Sequence, residues 1–191
     1  MRRIVTLATI TGAASLLVAG IANAGAVTAQ FGSGAFGLPW SAGKGTIESK
    51  FPGGKWDADD KGHPRYCAAS RQSLLKLPAP HQSREMCFLI GTDGTLASAT
   101  AIMDASLPSL LAVVNRSRTT FGDFDAVVRD DSAIQSRSNA MLWTKDAPYV
   151  VMVKSANDAD GRPVLVEFTV ADEANLHTAG ATKVDNRPAG K

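Results

Sequence analysis

REMCFLIGTDGTLASATAIM, residues 84–103, decides the fold, because two runs of β-compatible residues flank Asp93-Gly94. Asp-Gly in that setting signals a two-residue type I′ hairpin turn. With Thr92 facing Thr95, Ile90 lies opposite Ala97, Phe88 opposite Ala99 and Met86 opposite Ala101. Side chains alternate across a strand, so these residues share one apolar face, and its alanines leave room for a helix to lie close. Cys87, Leu89, Ser98, Thr100 and Ile102 then point to the opposite face.

Upstream, a hairpin centred near Leu77 in LKLPAPH would set Cys67 directly across from Cys87 and Tyr66 across from Phe88. Facing Cα atoms in such a ladder are ~4.5–5.5 Å apart, which suits a disulfide. Free thiols, a redox pair or metal ligands are the alternatives. A redox pair favours Cys-x-x-Cys, which is absent, and a zinc site needs further ligands at short spacing. The expectation is a structural Cys67–Cys87 bridge.

Further strands are signalled by AMLWTK, PYVVMVKS and PVLVEFTV. A helix is expected in LPWSAGKGTIESKFPGG, with Ser41 as N-cap, Ile47 and Phe51 on one face, and Pro52-Gly53 as the stop. A stronger one is SLPSLLAVVNRSRTTFGDFD, capped by Ser106 or Asp104, with Pro108 in its first turn and Gly122 closing it. Leu107, Leu110, Leu111, Val114 and Phe121 form its expected core stripe. The order helix, three strands, helix, three strands predicts an α+β fold: an antiparallel sheet of about six strands with two helices on one face, in tandem αβββ order.

At the N-terminus, MRRIVTLATITGAASLLVAGIANAG has Arg2 and Arg3, an apolar run from Ile4 to Ile21, and Ala22 and Ala24 around Asn23. This is the pattern of a secretory signal, residues 1–24, with a second possible cut after Ala29. A membrane anchor is the competing explanation, but Thr6, Thr9, Thr11, Gly12 and Ser15 interrupt the run. Ile21 follows LLVAG and offers no thiol to acylate, so no lipid anchor is expected. Residues 25–35 suggest a flexible lead-in, 36–171 a single domain, and 172–191 a disordered tail. Without Arg2 and Arg3, the 20 Lys and Arg balance the 18 Asp and Glu. That neutrality and the absence of a basic run argue against a nucleic-acid partner.

PWSAGKGTIESKFPG, residues 39–53, and the helix ending FGDFD, residues 121–125, carry a likeness. The chain resembles the small α/β envelope proteins of bacteria that include the β-lactamase-inhibitor type and the small outer-membrane assembly lipoproteins. The resemblance implies a scaffold used for binding rather than catalysis.

Candidate chemistry is sparse. WDADDKGH holds Asp57, Asp59, Asp60 and His63, residue types that bind divalent cations, but no second ligand cluster is visible and a solvated loop between helix and sheet is the expectation. NDADG followed by Glu167 superficially matches a calcium loop, yet Ala156 stands where its first acid belongs, so a β-turn is expected. His63, His81 and His177 accompany no G-x-S-x-G, H-E-x-x-H, P-loop or G-x-G-x-x-G pattern. Trp40, Trp56, Trp143 and Tyr149 are either packing groups or partner anchors. The expectation is a periplasmic or secreted binding or inhibitor-like protein without catalytic activity or cofactor. Its partner, another envelope protein, would sit on the open sheet face or on the loops KLPAPHQS and ANDADGR. A small hydrolase or metal-dependent enzyme using Asp59, His63 and His81 is the alternative, and a structural or stress-related envelope protein is a third.

Overall fold

The computed structural model describes residues 25–59, 62–130, 137–146 and 148–173. In chain order the elements are α1 (Ala26–Phe31), α2 (Lys44–Lys50), β1 (Lys55–Ala58), β2 (Pro64–Ala69), β3 (Ser83–Ile90), β4 (Leu96–Met103), α3 (Leu107–Phe121), β5 (Ala126–Asp130), β6 (Arg137–Trp143), β7 (Tyr149–Asn157) and β8 (Pro163–Asp172). The strands form one antiparallel sheet in the order β1-β2-β3-β4-β8-β7-β6-β5. Each half is a four-strand meander running from one edge to the middle, and the halves join where β4 pairs β8.

The α+β class is therefore observed, with eight strands rather than six and three helices rather than two among the described residues. The two strands absent from the sequence expectation are the sheet edges β1 and β5, of 4 and 5 residues. An edge strand has one paired side and little buried surface, so KWDA and AVVRD need no long apolar alternation.

Residues 25–35 are not a flexible lead-in. They contain α1, whose Val27 and Phe31 are buried. Phe31 packs between Phe121 and Phe168, with ring centroids 6.0 and 6.2 Å away. Trp40 stacks on Tyr149 at 5.4 Å, while Trp40 Nε1 donates to the Phe31 carbonyl and the Tyr149 hydroxyl to that of Gly32. Burying a ring the size of Phe contributes ~1.5–3 kcal/mol. Two aromatics with anchored polar ends thus order a segment that has no periodic signal of its own.

The decisive hairpin has the expected register in its body and a different turn. Met86 pairs Ala101, Cys87 pairs Thr100 and Phe88 pairs Ala99. At the turn, Gly91 N donates to Thr95 O and Gly94 N to Gly91 O, with Gly94 at φ +81°. That is a three-residue connection with its last residue left-handed, not a two-residue type I′ turn. Ile90 consequently faces Leu96 instead of Ala97, and an irregularity between Leu89 and Ile90 restores the register. In the neighbouring ladder Cys67 pairs Cys87 and Tyr66 pairs Phe88, as the centred connection implies.

All three helices share one apolar cluster with the sheet face that carries Met86, Phe88, Ala99, Val151, Val153 and Phe168. Helix α2 begins after Gly43, two residues beyond the expected cap, and sets Ile47 and Phe51 into this core. The ring of Phe51 lies 4.6 Å from that of Phe88. The Tyr66 hydroxyl donates to Phe51 O and accepts from Gly54 N, tying the end of α2 to β2. Helix α3 is capped by Ser106, whose side chain accepts from Ser109 N, and closes at Gly122. Its buried residues are Ser109, Val113, Ser117 and Phe121. Of the expected core stripe only Phe121 is fully inside; Leu107 and Leu111 are exposed.

Candidate functional site

The opposite sheet face has no described helix on it. Strand registers set out its side chains in rows. One row runs Cys67, Cys87, Thr100, Thr169, Met152, Leu142 across β2, β3, β4, β8, β7 and β6. The next runs Glu85, Ile102, Glu167, Lys154, Ala140. Where these rows cross the sheet centre they enclose a hollow of about 450 Å³ lined by Asp59, Arg65, Leu89, Ile102, Met152 and Glu167 among others. A cavity of about 490 Å³ on the helical side, among Phe31, Phe36, Leu38 and Leu74, is lined by no titratable side chain. The open-face hollow is accordingly the candidate site.

Its floor is apolar and closed on one side by the Cys67–Cys87 disulfide, whose Cα atoms are 4.1 Å apart. The hydroxyls of Thr100 and Thr169 lie 2.9 Å apart and share a hydrogen bond across the β4–β8 ladder. At the border stand Arg65, Lys154 and Glu167. Arg65 makes a two-pronged contact with Asp57, Nε to Oδ1 at 3.0 Å and Nη2 to Oδ2 at 2.7 Å. Lys154 faces Glu167 across the β7–β8 ladder. Partial burial raises the Glu167 carboxyl above the ordinary glutamate range, an effect that the charges of Lys154 and Arg65 oppose without cancelling. The hollow thus combines an apolar centre, two cations and two carboxyl groups, of which Glu167 ionises reluctantly.

The residues singled out in the sequence are dispersed. Cys67 and Cys87 are joined as expected. Asp59 borders the hollow, its carboxylate holding the His63 backbone N–H at 2.8 Å and the ring Nδ1 at 3.0 Å. Asp57 is engaged by Arg65, and Asp60 and His177 lie outside the described residues. His81 sits in the β2–β3 connection, where its backbone N–H donates to Pro78 O. Among the described residues the only three potential ligands within one shell are Cys67, Glu85 and Cys87, and the two sulfurs are bonded to each other. Asp59, His63 and His81 are therefore not brought together. The NDADG stretch is a tight turn in which Asp158 accepts from the backbone of Asp160 and Arg162.

All four large aromatics pack. Trp143 is buried against Phe121 and Phe124 and donates to Gly122 O. Trp56 lies against Tyr66, donates to Glu48 and carries Lys44 over its ring. The loop KLPAPHQS is likewise anchored, with Leu77 buried and Ser83 Oγ donating to Ser70 O. Arg65, Met152, Lys154 and Thr169 escape a motif search because they come from three strands. A usable signal exists in PVLVEFTV, where Glu167 interrupts the otherwise apolar run and falls on the face opposite Val166, Phe168 and Val170.

Fold and site together define an α+β protein with one sheet face packed under helices and the other, without a described helix, holding a charged-rimmed hollow. Compared with family models, curated proteins and solved structures, the chain matches none of them. Among the described residues no helix is long and apolar enough to cross a membrane.

Proposed function

We propose that this chain is an exported, non-catalytic binding or inhibitor-like protein of the bacterial envelope that receives a partner protein on its open sheet face. The observation that carries this is the hollow: an apolar centre of Leu89, Ile102 and Met152 bordered by Arg65 and Lys154, on the sheet face without described helices. Apolar centres with charged rims are what protein partners bury, the centre supplying affinity and the rim orientation. The complementary surface presents an aliphatic or aromatic knob with a carboxylate beside it. A cross-strand disulfide and a secretory-type N-terminus support an oxidising compartment.

A photo-crosslinking side chain placed at Met152 or Ile102 tests this in the envelope of the producing cell. One discrete adduct is expected from both positions, lost when Lys154→Glu is added, and absent with the same probe at Lys50 on the helical side. Equal labelling from Lys50, or no adduct from the hollow, would remove the proposal.

A further inference from the structure

Taking the open sheet face as the partner surface, as proposed above, we infer that the hollow receives a chain end. The group is the last residue of a partner polypeptide, apolar in side chain, with its free α-carboxylate held by Lys154 and its amide N–H by Glu167. Four charged side chains line the hollow, Asp59, Arg65, Lys154 and Glu167. Two of them are already committed: the Asp59 carboxylate holds His63, and the Arg65 guanidinium grips Asp57 through two bonds. Lys154 and Glu167 face each other across the β7–β8 ladder, yet among the described residues their side chains make no hydrogen bond or ion pair, with each other or with any third group. Directly opposite side chains start ~4.5–5.5 Å apart at Cβ, well within reach of pairing. Both are half-buried, and burial already works against the charge on Glu167. A base and an acid held side by side but apart offer one donor and one acceptor to a single ligand.

The apolar contacts lie immediately beside this pair. Ile102 is the partner of Glu167 on β4, and Met152 precedes Lys154 by two residues, on the same face of β7. The hollow measures about 450 Å³, room for one or two residues and not for a folded surface. What enters must therefore carry an anion, an N–H and a large apolar group within a few ångströms of one another. An internal Asp or Glu has its carboxylate in place of the apolar group and needs a second residue to supply it. In the last residue of a chain, carboxylate, N–H and side chain all stand on one Cα. Capture of a chain end is a recurrent mode of peptide recognition. Here the Lys154 ammonium takes the carboxylate in a charge-assisted bond, Glu167 accepts from the N–H, and Ile102 and Met152 receive the side chain.

Fluorescence anisotropy with a fluorescein-labelled peptide of four alanines and a C-terminal phenylalanine reads this directly. The free-acid form is expected to bind, and its C-terminal amide to bind about tenfold or more weaker. Lys154→Met should weaken the acid form to the level of the amide and leave the amide form unchanged, whereas Lys154→Arg keeps the preference. That cycle isolates the Lys154–carboxylate pair from any general damage to the hollow. Replacing the terminal phenylalanine with alanine should also weaken binding. Circular dichroism checks that each variant is folded. An acid peptide that does not bind at about millimolar concentration overturns the inference. So does equal binding of acid and amide, or a Lys154→Met variant that weakens both alike. Free phenylalanine binding more tightly than the acid peptide would make the hollow an amino-acid site, and also overturns it. A discrete cross-link from Met152 that excess acid peptide fails to displace removes the chain end while leaving the open face as the partner surface; no cross-link from the hollow removes both.

Discussion

At the scale of single residues, Cys67 and Cys87 face each other because the ladders on both sides of β3 are in register, and the bridge spans a sequence separation of 20. Closing a loop of that length restricts the unfolded chain and contributes ~3 kcal/mol. Cys67→Ser with Cys87→Ser is expected to lower the urea midpoint by an amount corresponding to that loss, with little change in far-ultraviolet circular dichroism. Glu167 gives a second prediction, with a sign set by its surroundings. Burial raises its folded-state pKa, and Lys154 and Arg65 only partly offset this. The folded protein then holds this proton more tightly than the unfolded chain does. Its contribution to stability is present below the ordinary glutamate value and is lost as pH rises through the raised folded value. Glu167→Gln should therefore raise the thermal midpoint at about pH 7.5 and change it little at about pH 4, where the wild-type carboxyl is largely protonated. An unchanged midpoint at both values would show that Lys154 and Arg65 fully compensate the burial.

Among the elements, the β3–β4 hairpin shows how a correct register can come with a different turn. Asp93-Gly94 marks the reversal, and Asp93 accepts from both Thr95 N and Thr95 Oγ1. Whether two or three residues make the connection is decided by the strands, which absorb the extra residue at Ala97 through the Leu89–Ile90 irregularity. Gly94 is left-handed at φ +81°, and a Cβ there meets nothing within 4 Å. Gly94→Ala is thus a test of backbone conformation alone, expected to lower stability by about 1 kcal/mol in a denaturant titration. Helix α3 is the converse case: caps and ends are as the sequence implies, but the buried face is not. Capping depends on neighbours within a few residues, whereas the face turned inward depends on the sheet. The face that packs on the sheet holds Ser109, Val113, Ser117 and Phe121.

For the whole molecule, α1 is part of the fold, which bears on where a leader can be removed. Val27 is buried, and Thr28 N donates to Asp146 Oδ2 at 2.8 Å. A cut after Ala29 would remove both residues, while one after Ala24 leaves α1 whole. Should the chain be exported as proposed, N-terminal sequencing of the mature protein is expected to begin at Gly25; a start at Gln30 would mean that the fold does not need the first turn of α1. The sequence by itself determined the α+β class, six of the eight strands, the caps of α3 and the facing of Cys67 with Cys87. These rest on alternation, turn chemistry and capping, all of which act over a few residues. The tertiary structure alone decided the edge strands, the ordering of α1, the outward turn of Leu107 and Leu111, and the meeting of Arg65, Lys154 and Glu167 around one hollow. Each of these depends on strands far apart in the chain becoming neighbours in the sheet, and no local pattern encodes which surfaces that pairing covers and which it leaves open.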